Sequence, residues 1–114
     1  MAEDLRRELL KGVTEVLLLA VLADGPAYGY GLARTIDERS GGYFTLSQGT
    51  LYPALARLQA AGLIVGEWRP GASPGKPRRY YALTEAGHRE LAGRLDVWAG
   101  FAAAVDHVLF RAQH

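Results

Sequence analysis

Residues 46–83, LSQGTLYPALARLQAAGLIVGEWRPGASPGKPRRYYAL, constrain the fold more than any other part of the chain. Leu51, Leu55 and Leu58 recur at helical spacing and form one apolar stripe. Ser47 stands at the N-cap position, and Leu46 and Leu51 occupy the two places of a hydrophobic staple around it. The opposite face carries Gly49, Thr50, Pro53 and Arg57, with Gln48 and Tyr52 along one flank. Pro53 denies a hydrogen bond to the carbonyl of Gly49, so an irregular first turn is expected. The helix is followed at once by two β-rich runs, 63–68 and 78–83, separated by RPGASPGKP. That linker is too rich in Gly and Pro for regular structure, so the two runs read as a β-hairpin with a long basic tip. Such a hairpin leaves one sheet face to be covered, and helices must come from elsewhere in the chain to cover it.

Those helices are visible on both sides. Leu5, Leu9, Val13, Val16 and Ala20, broadened by Leu10, Leu17 and Val21, give a first helix over 5–23 that stops at Asp24-Gly25-Pro26. A short second helix over 30–39 is apolar at Leu32 and Ile36 and is closed by Gly41-Gly42. After Thr84, an expected N-cap, a last helix runs to about Arg111 with Leu91, Leu95, Trp98, Ala102, Val105 and Leu109 at alternating spacings of four and three. That is a heptad seam, which packs on another helix. A second row, Val97, Phe101, Ala104 and Val108, widens the apolar surface beyond what the first helix alone can cover. The expected fold is therefore mainly α with a small β-hairpin: a winged helix-turn-helix over 1–83 and a C-terminal dimerisation helix over 84–114.

A chain of 114 residues holds one core, near the lower size at which a monomer is comfortably stable, so dimerisation would add useful burial. With 49% hydrophobic and 22% charged residues it is composed like a globular domain and unlike a disordered tail. The lack of cysteine excludes disulfides, thiolate zinc sites and cysteine nucleophiles. The longest apolar run, VLLLAVLA at 16–23, falls well short of the roughly 20 residues a membrane helix requires. Glu3, Asp4 and Glu8 spoil the basic start of a signal peptide. A cytoplasmic protein without a membrane partner is expected. His88, His107 and His114 have no metal-ligand spacing, and no acid, base and nucleophile converge; the expectation is no enzyme, no metal and no cofactor.

Charge distribution points to a polyanion. Residues 40–84 hold Arg57, Arg69, Lys76, Arg78 and Arg79 against Glu67 alone, net +4, whereas the remainder has 8 basic and 11 acidic residues, net −3. No acid lies between Glu67 and Glu85. In the helix-turn-helix arrangement the third helix can enter a major groove, about 12 Å wide, while the basic hairpin reaches the adjacent backbone or minor groove. The competing reading is a winged-helix module that binds protein or RNA and uses the last helix only for assembly. A protein-binding module has no reason to clear acids from this one face.

The motifs GPAYGYGLARTI, GTLYPALARLQAAGLI and GKPRRYYALTEAG, in this order and spacing, resemble the PadR family of bacterial transcriptional regulators over about residues 8–110. The single short C-terminal helix is similar to the family's smaller subgroup. The resemblance implies a homodimeric repressor on an inverted-repeat operator in double-stranded DNA, relieved by a small molecule or a cellular signal. By position it makes Thr50 and Tyr52 part of the recognition helix and puts Lys76, Arg78 and Arg79 on the wing. It also matches Trp98 to a tryptophan that lines a flat pore at the dimer interface of drug-binding relatives, where a planar aromatic effector would stack. The two prolines of 71–77 stiffen the wing tip relative to a plain Gly-Arg turn, and the alanines after Phe101 would narrow such a pore.

The candidate DNA-binding residues are Ser47, Gln48, Thr50, Tyr52, Arg57, Lys76, Arg78 and Arg79. Tyr52 is either a groove contact through its hydroxyl or a flank residue packed on the second helix. Pro53 shapes the helix start. Arg57 pairs with phosphate or stays solvated. Tyr80 and Tyr81 face opposite sides of a strand, so one is core. Arg6, Arg7 and Lys11 are offset by Glu3, Asp4 and Glu8. Leu91, Leu95, Trp98, Phe101, Ala102, Val105 and Leu109 are the candidate interface or ligand residues, with Trp98 either a dimer-core residue or a stacking wall.

Overall fold

A computed structural model describes residues 2–71 and 75–110. Helix α1 (Ala2–Leu22) is followed by a two-residue strand β1 (Ala27–Tyr28), α2 (Gly29–Arg39), α3 (Gln48–Ala60), β2 (Ile64–Arg69), β3 (Arg78–Leu83) and a long α4 (Glu85–Leu109). The expected end at Arg111 lies outside the described residues, as does part of the wing tip. The first helix begins three residues earlier than its apolar stripe suggested, with the ion pairs Arg7–Asp4 and Lys11–Glu8 on its leading turns.

The sheet is three-stranded and antiparallel in the order β1-β3-β2: the expected β2–β3 hairpin is present, and a short third strand is added to its edge. Ala27 pairs with Tyr81 and Tyr28 with Tyr80, so the turn between α1 and α2 caps the free edge of β3. A pair of residues has too little length to show alternation, and its partner lies more than fifty residues away in sequence. On the other edge β2 pairs with β3 from Ile64↔Leu83 to Arg69↔Arg78.

The core gathers where α1, α2, α3 and the inner sheet face meet. Leu18, Leu19, Leu32, Leu55, Leu58 and Ile64 are essentially solvent-free, and Tyr81 joins them while Tyr80 stays on the outer face. Thr14, the one buried polar residue of this core, donates from Oγ1 to the Leu10 carbonyl at 2.7 Å. Its hydroxyl is therefore satisfied within its own helix.

Two helix termini fix the geometry around the wing. At the end of α3, Gly62 takes a positive φ of 76° and the Leu63 amide returns to the Leu58 carbonyl at 3.0 Å. This left-handed cap turns the chain sharply enough for β2 to start at once. At the start of α4, Thr84 accepts from the Gly87 amide at 3.0 Å and donates from the same hydroxyl to the Gly62 carbonyl at 2.7 Å. One side chain thus caps α4 and bolts it to the exit of α3. Beyond Leu91, α4 leaves the core, and the molecule becomes an elongated body of 58 × 32 × 21 Å.

Candidate nucleic-acid interface

Helix α3 starts as its sequence dictates. Ser47 has extended backbone and accepts from the Thr50 amide at 3.2 Å; Leu46 and Leu51 are both buried beside it. The Ser47 carbonyl accepts from both the Thr50 and Leu51 amides, at 3.1 and 2.9 Å, the shared bond common at a helix start. Pro53 sits inside a continuous helix, and the Gly49 carbonyl it leaves free belongs to an exposed turn that water reaches. Leu51, Ala54, Leu55 and Leu58 face inward. Gln48, Gly49, Tyr52, Pro53 and Ala56 form the exposed side, with Thr50 half-buried at its margin. Apart from Gln48 and Tyr52 these are short side chains, so a groove wall can approach the backbone closely.

Tyr52 lies on the flank toward α2. Its ring covers Gly29, where an added Cβ would stand 2.7 Å from the hydroxyl oxygen and 2.9 Å from Cε1. Gly29 is thus required by contact, and Tyr52 packs on the second helix while keeping 46% of its surface exposed.

The wing carries its cations on aromatic rings. The Arg78 guanidinium lies 4.5 Å from the Tyr28 ring centre; Arg69 lies 5.0 Å from Tyr80, and Arg79 lies 5.5 Å from Trp68 and 5.9 Å from Tyr81. Tyr28 in turn contacts Tyr80 and Tyr30, at centroid distances of 5.5 and 6.2 Å. Ring faces are electron-rich and hold a cation without neutralising it. Among the described residues, Lys76, Arg78 and Arg79 form no ion pair with a carboxylate, whereas Arg69 pairs with Glu67 at 3.5 Å.

Arg57 makes an ion pair that neither sequence reading included, while its side chain stays 59% exposed. Its Nε donates to Glu15 of α1 at 2.9 Å, and the other oxygen of Glu15 accepts from Arg94 of α4 at 3.1 Å. Arg94 also donates to Glu90 at 2.7 Å. Burial acts to raise the Glu15 pKa, but the donors Arg57 and Arg94 outweigh it and hold the carboxyl below its ordinary 4.5. Arg57 is therefore occupied in fastening α3 to α1, a bond spanning 42 positions that no local pattern announces.

Along α1 and α4 runs a second, apolar feature, a groove of about 1050 Å³ lined by Leu9, Val13, Val16, Leu95, Trp98 and Phe101 among others. Leu95, Trp98, Phe101, Val105 and Leu109 are 37–66% exposed, and Ala102 is partly covered. Leu91 departs from that set: at 7% exposure it belongs to the core of the single chain, because it lies in the part of α4 that Thr84 bolts down. Trp98 meets Phe101 at 6.0 Å.

A profile of the Transcriptional regulator PadR-like family matches residues 18–93, from the core of α1 to the docked start of α4. The chain belongs to this family. It is 35% identical over 85 residues to a transcriptional regulator of Mycobacterium tuberculosis, covering 75% of each chain. A crystal structure of a PadR family transcriptional regulator from Eggerthella lenta superposes with a TM-score of 0.81 at 32% identity, covering 96% of this chain and 92% of the other. A PadR-like transcriptional regulator from Bacillus cereus superposes at 0.77 with 30% identity, covering 90% and 97%. In this PadR-like regulator the sequence reading missed Glu15, Gly29 and Trp68. Glu15 and Gly29 matter through contacts with distant elements; Trp68 carried only the β-propensity of an aromatic in a β-rich run, and its 63% exposure appears only in the structure.

Proposed function

We propose that the protein is a homodimeric, sequence-specific DNA-binding repressor. The observation that carries this reading is the state of the wing: three cations without carboxylate partners, two of them oriented by aromatic rings, beside the exposed face of a well-capped helix. Unneutralised cations held in fixed positions suit a row of phosphates, whose counterions they displace. Gln48, Thr50 and Tyr52 would meet base edges or backbone in the major groove, with Ser47 setting the helix start and Lys76, Arg78 and Arg79 on phosphate. Arg57 acts by holding α3 in place.

The dimer reading rests on α4. Leu95, Trp98, Phe101, Val105 and Leu109 leave apolar surface exposed, and a second copy of α4 crossing the groove along α1 would bury it. Two Trp98 rings would then stand near the two-fold axis, where a planar aromatic effector could stack and relieve repression by favouring a different wing spacing. None of the described helices is long and apolar enough to span a bilayer.

Selection from a random duplex pool tests the function. An enriched inverted repeat, with half-sites about one helical turn apart or a multiple of it, is the expected result. Gln48→Ala or Thr50→Ala should weaken preference for that repeat while leaving affinity for random duplex nearly intact. A pool that stays random through repeated rounds would contradict sequence-specific binding and leave the protein- or RNA-binding module as the better account.

A further inference from the structure

Between the wing and the helix-turn-helix lies a cleft of about 600 Å³ whose walls include Gly29, Tyr30 and Tyr52 on one side and Trp68, Arg78 and Arg79 on the other. Trp68 is 63% exposed, an unusual position for the largest apolar side chain. It pairs directly with Arg79 across the β2–β3 ladder, and therefore shares a sheet face with Arg79 and Tyr81. The Arg79 guanidinium is pressed onto the strand opposite, where Gly66 leaves it room: a Cβ there would stand 2.6 Å from Arg79 Nε. Glu67, the only acid of the wing strands, alternates to the other face and is paired with Arg69. The cleft thus presents a fixed cation, no carboxylate from the wing strands, and open aromatic faces on both walls.

The geometry points to Trp68 as a DNA-contacting residue in its own right. The cleft takes the sugar–phosphate backbone of one strand, with a deoxyribose face on the indole and a neighbouring phosphate on Arg79. A DNA strand offers the alternation that the cleft mirrors, an anion next to a flat apolar C–H face, and contacts to sugar and phosphate make up half or more of a typical protein–DNA interface. The indole contact is indifferent to sequence, so it adds affinity and fixes how far the wing stands from α3 without reading bases. This inference rests on the DNA-binding function proposed above.

The two tryptophans of the chain make it testable in the full-length protein, since Trp98→Phe leaves Trp68 as the only indole. DNA binding is followed separately by anisotropy of a labelled random-sequence duplex at low salt. As the bound fraction rises, Trp68 emission should move to shorter wavelength and lose its quenching by acrylamide. If Trp98→Phe itself lowers binding, the difference between wild type and Trp68→Phe reports the same signal. Trp68→Ala should weaken binding to every duplex about fivefold with the salt slope unchanged, because the ring carries no charge. Trp68→Phe should keep most of the affinity. Binding by anisotropy with Trp68 emission and quenching unaltered would overturn the inference while leaving the DNA-binding function intact. So would a lower salt slope in Trp68→Ala, which would reduce Trp68 to a support for Arg79, or equal protection of Trp68 by a poly-glutamate peptide. Absence of binding to any duplex would remove both the function and the inference.

Discussion

Glu15 and Arg57 join α1 to α3 through a 2.9 Å hydrogen bond, and the second oxygen of the same carboxylate holds Arg94 of α4 at 3.1 Å. One partly buried acid therefore sets the angle between the helix proposed to enter DNA and the helix proposed to form the dimer. Glu15→Gln keeps the shape but removes the charge, and should lower stability at pH 7 by about 1 kcal/mol, the exposure of Arg57 limiting the effect. Because the folded-state pKa of Glu15 is depressed, its contribution is present above the unfolded value and lost as pH falls through the folded one. Urea midpoints of wild type and Glu15→Gln should differ at pH 7 and converge below the ordinary carboxylate pKa of 4.5. A gap that persists unchanged well below 4.5 would show that the carboxylate charge is not what holds the helices.

Gly87 is the tightest position of the α4 docking. A Cβ there would strike the backbone carbonyl of Leu63, which is fixed by its own bond from the Thr84 amide at 3.1 Å. Gly87→Ala should therefore cost about 2–3 kcal/mol of stability, despite the better helix propensity of alanine. Gly93, with open space around its Cα, is the control: alanine there should be neutral or mildly stabilising.

Gly29 presents a milder case, because the obstacle is the end of the Tyr52 side chain. Gly29→Ala should destabilise the protein by about 1 kcal/mol in the wild-type background. In a Tyr52→Ala background the same change should cost nothing, as the ring is gone. Chemical denaturation of the four proteins of this cycle gives the coupling directly.

For the proposed dimer, charge on the exposed apolar face of α4 is decisive. Leu95→Glu combined with Val105→Glu should yield a folded monomer by sedimentation, since both side chains are exposed in the protomer and neither belongs to its core. A dimer that survives both substitutions would place the interface elsewhere. Leu91 must be left intact in this test, because its removal would damage the core.

Local signals made most of the fold legible. Ser47 and Thr84 are polar caps ahead of apolar periodicity, and the Gly/Pro linker isolates β2 from β3, so the elements and their order followed from neighbours in sequence. Tyr81 and Tyr80 could be assigned to opposite faces by alternation, though not to inside or outside. What stayed hidden depends on contacts between distant segments. Strand β1 exists because β3 offers it a free edge. Arg57 read as a phosphate contact or a solvated side chain, and its bond to Glu15 came to light only when another helix was brought beside it. Leu91 shared the spacing of Leu95 and Trp98, but the bolt of Thr84 to Gly62 draws only the first of the three into the core. Gly29 and Gly66 could not be distinguished from ordinary helix and strand glycines until Tyr52 and Arg79 were seen lying on them.

Whether the wing cations neutralise phosphates is read from the salt dependence of binding to random duplex DNA. Wild type and the triple variant Lys76→Ala, Arg78→Ala, Arg79→Ala should be compared by anisotropy over a range of monovalent salt. If each side chain neutralises one phosphate in each protomer, the plot of log affinity against log salt should flatten by about 5 for the dimer, and each single alanine should account for about 1 per protomer. An unchanged slope in the triple variant would contradict the account.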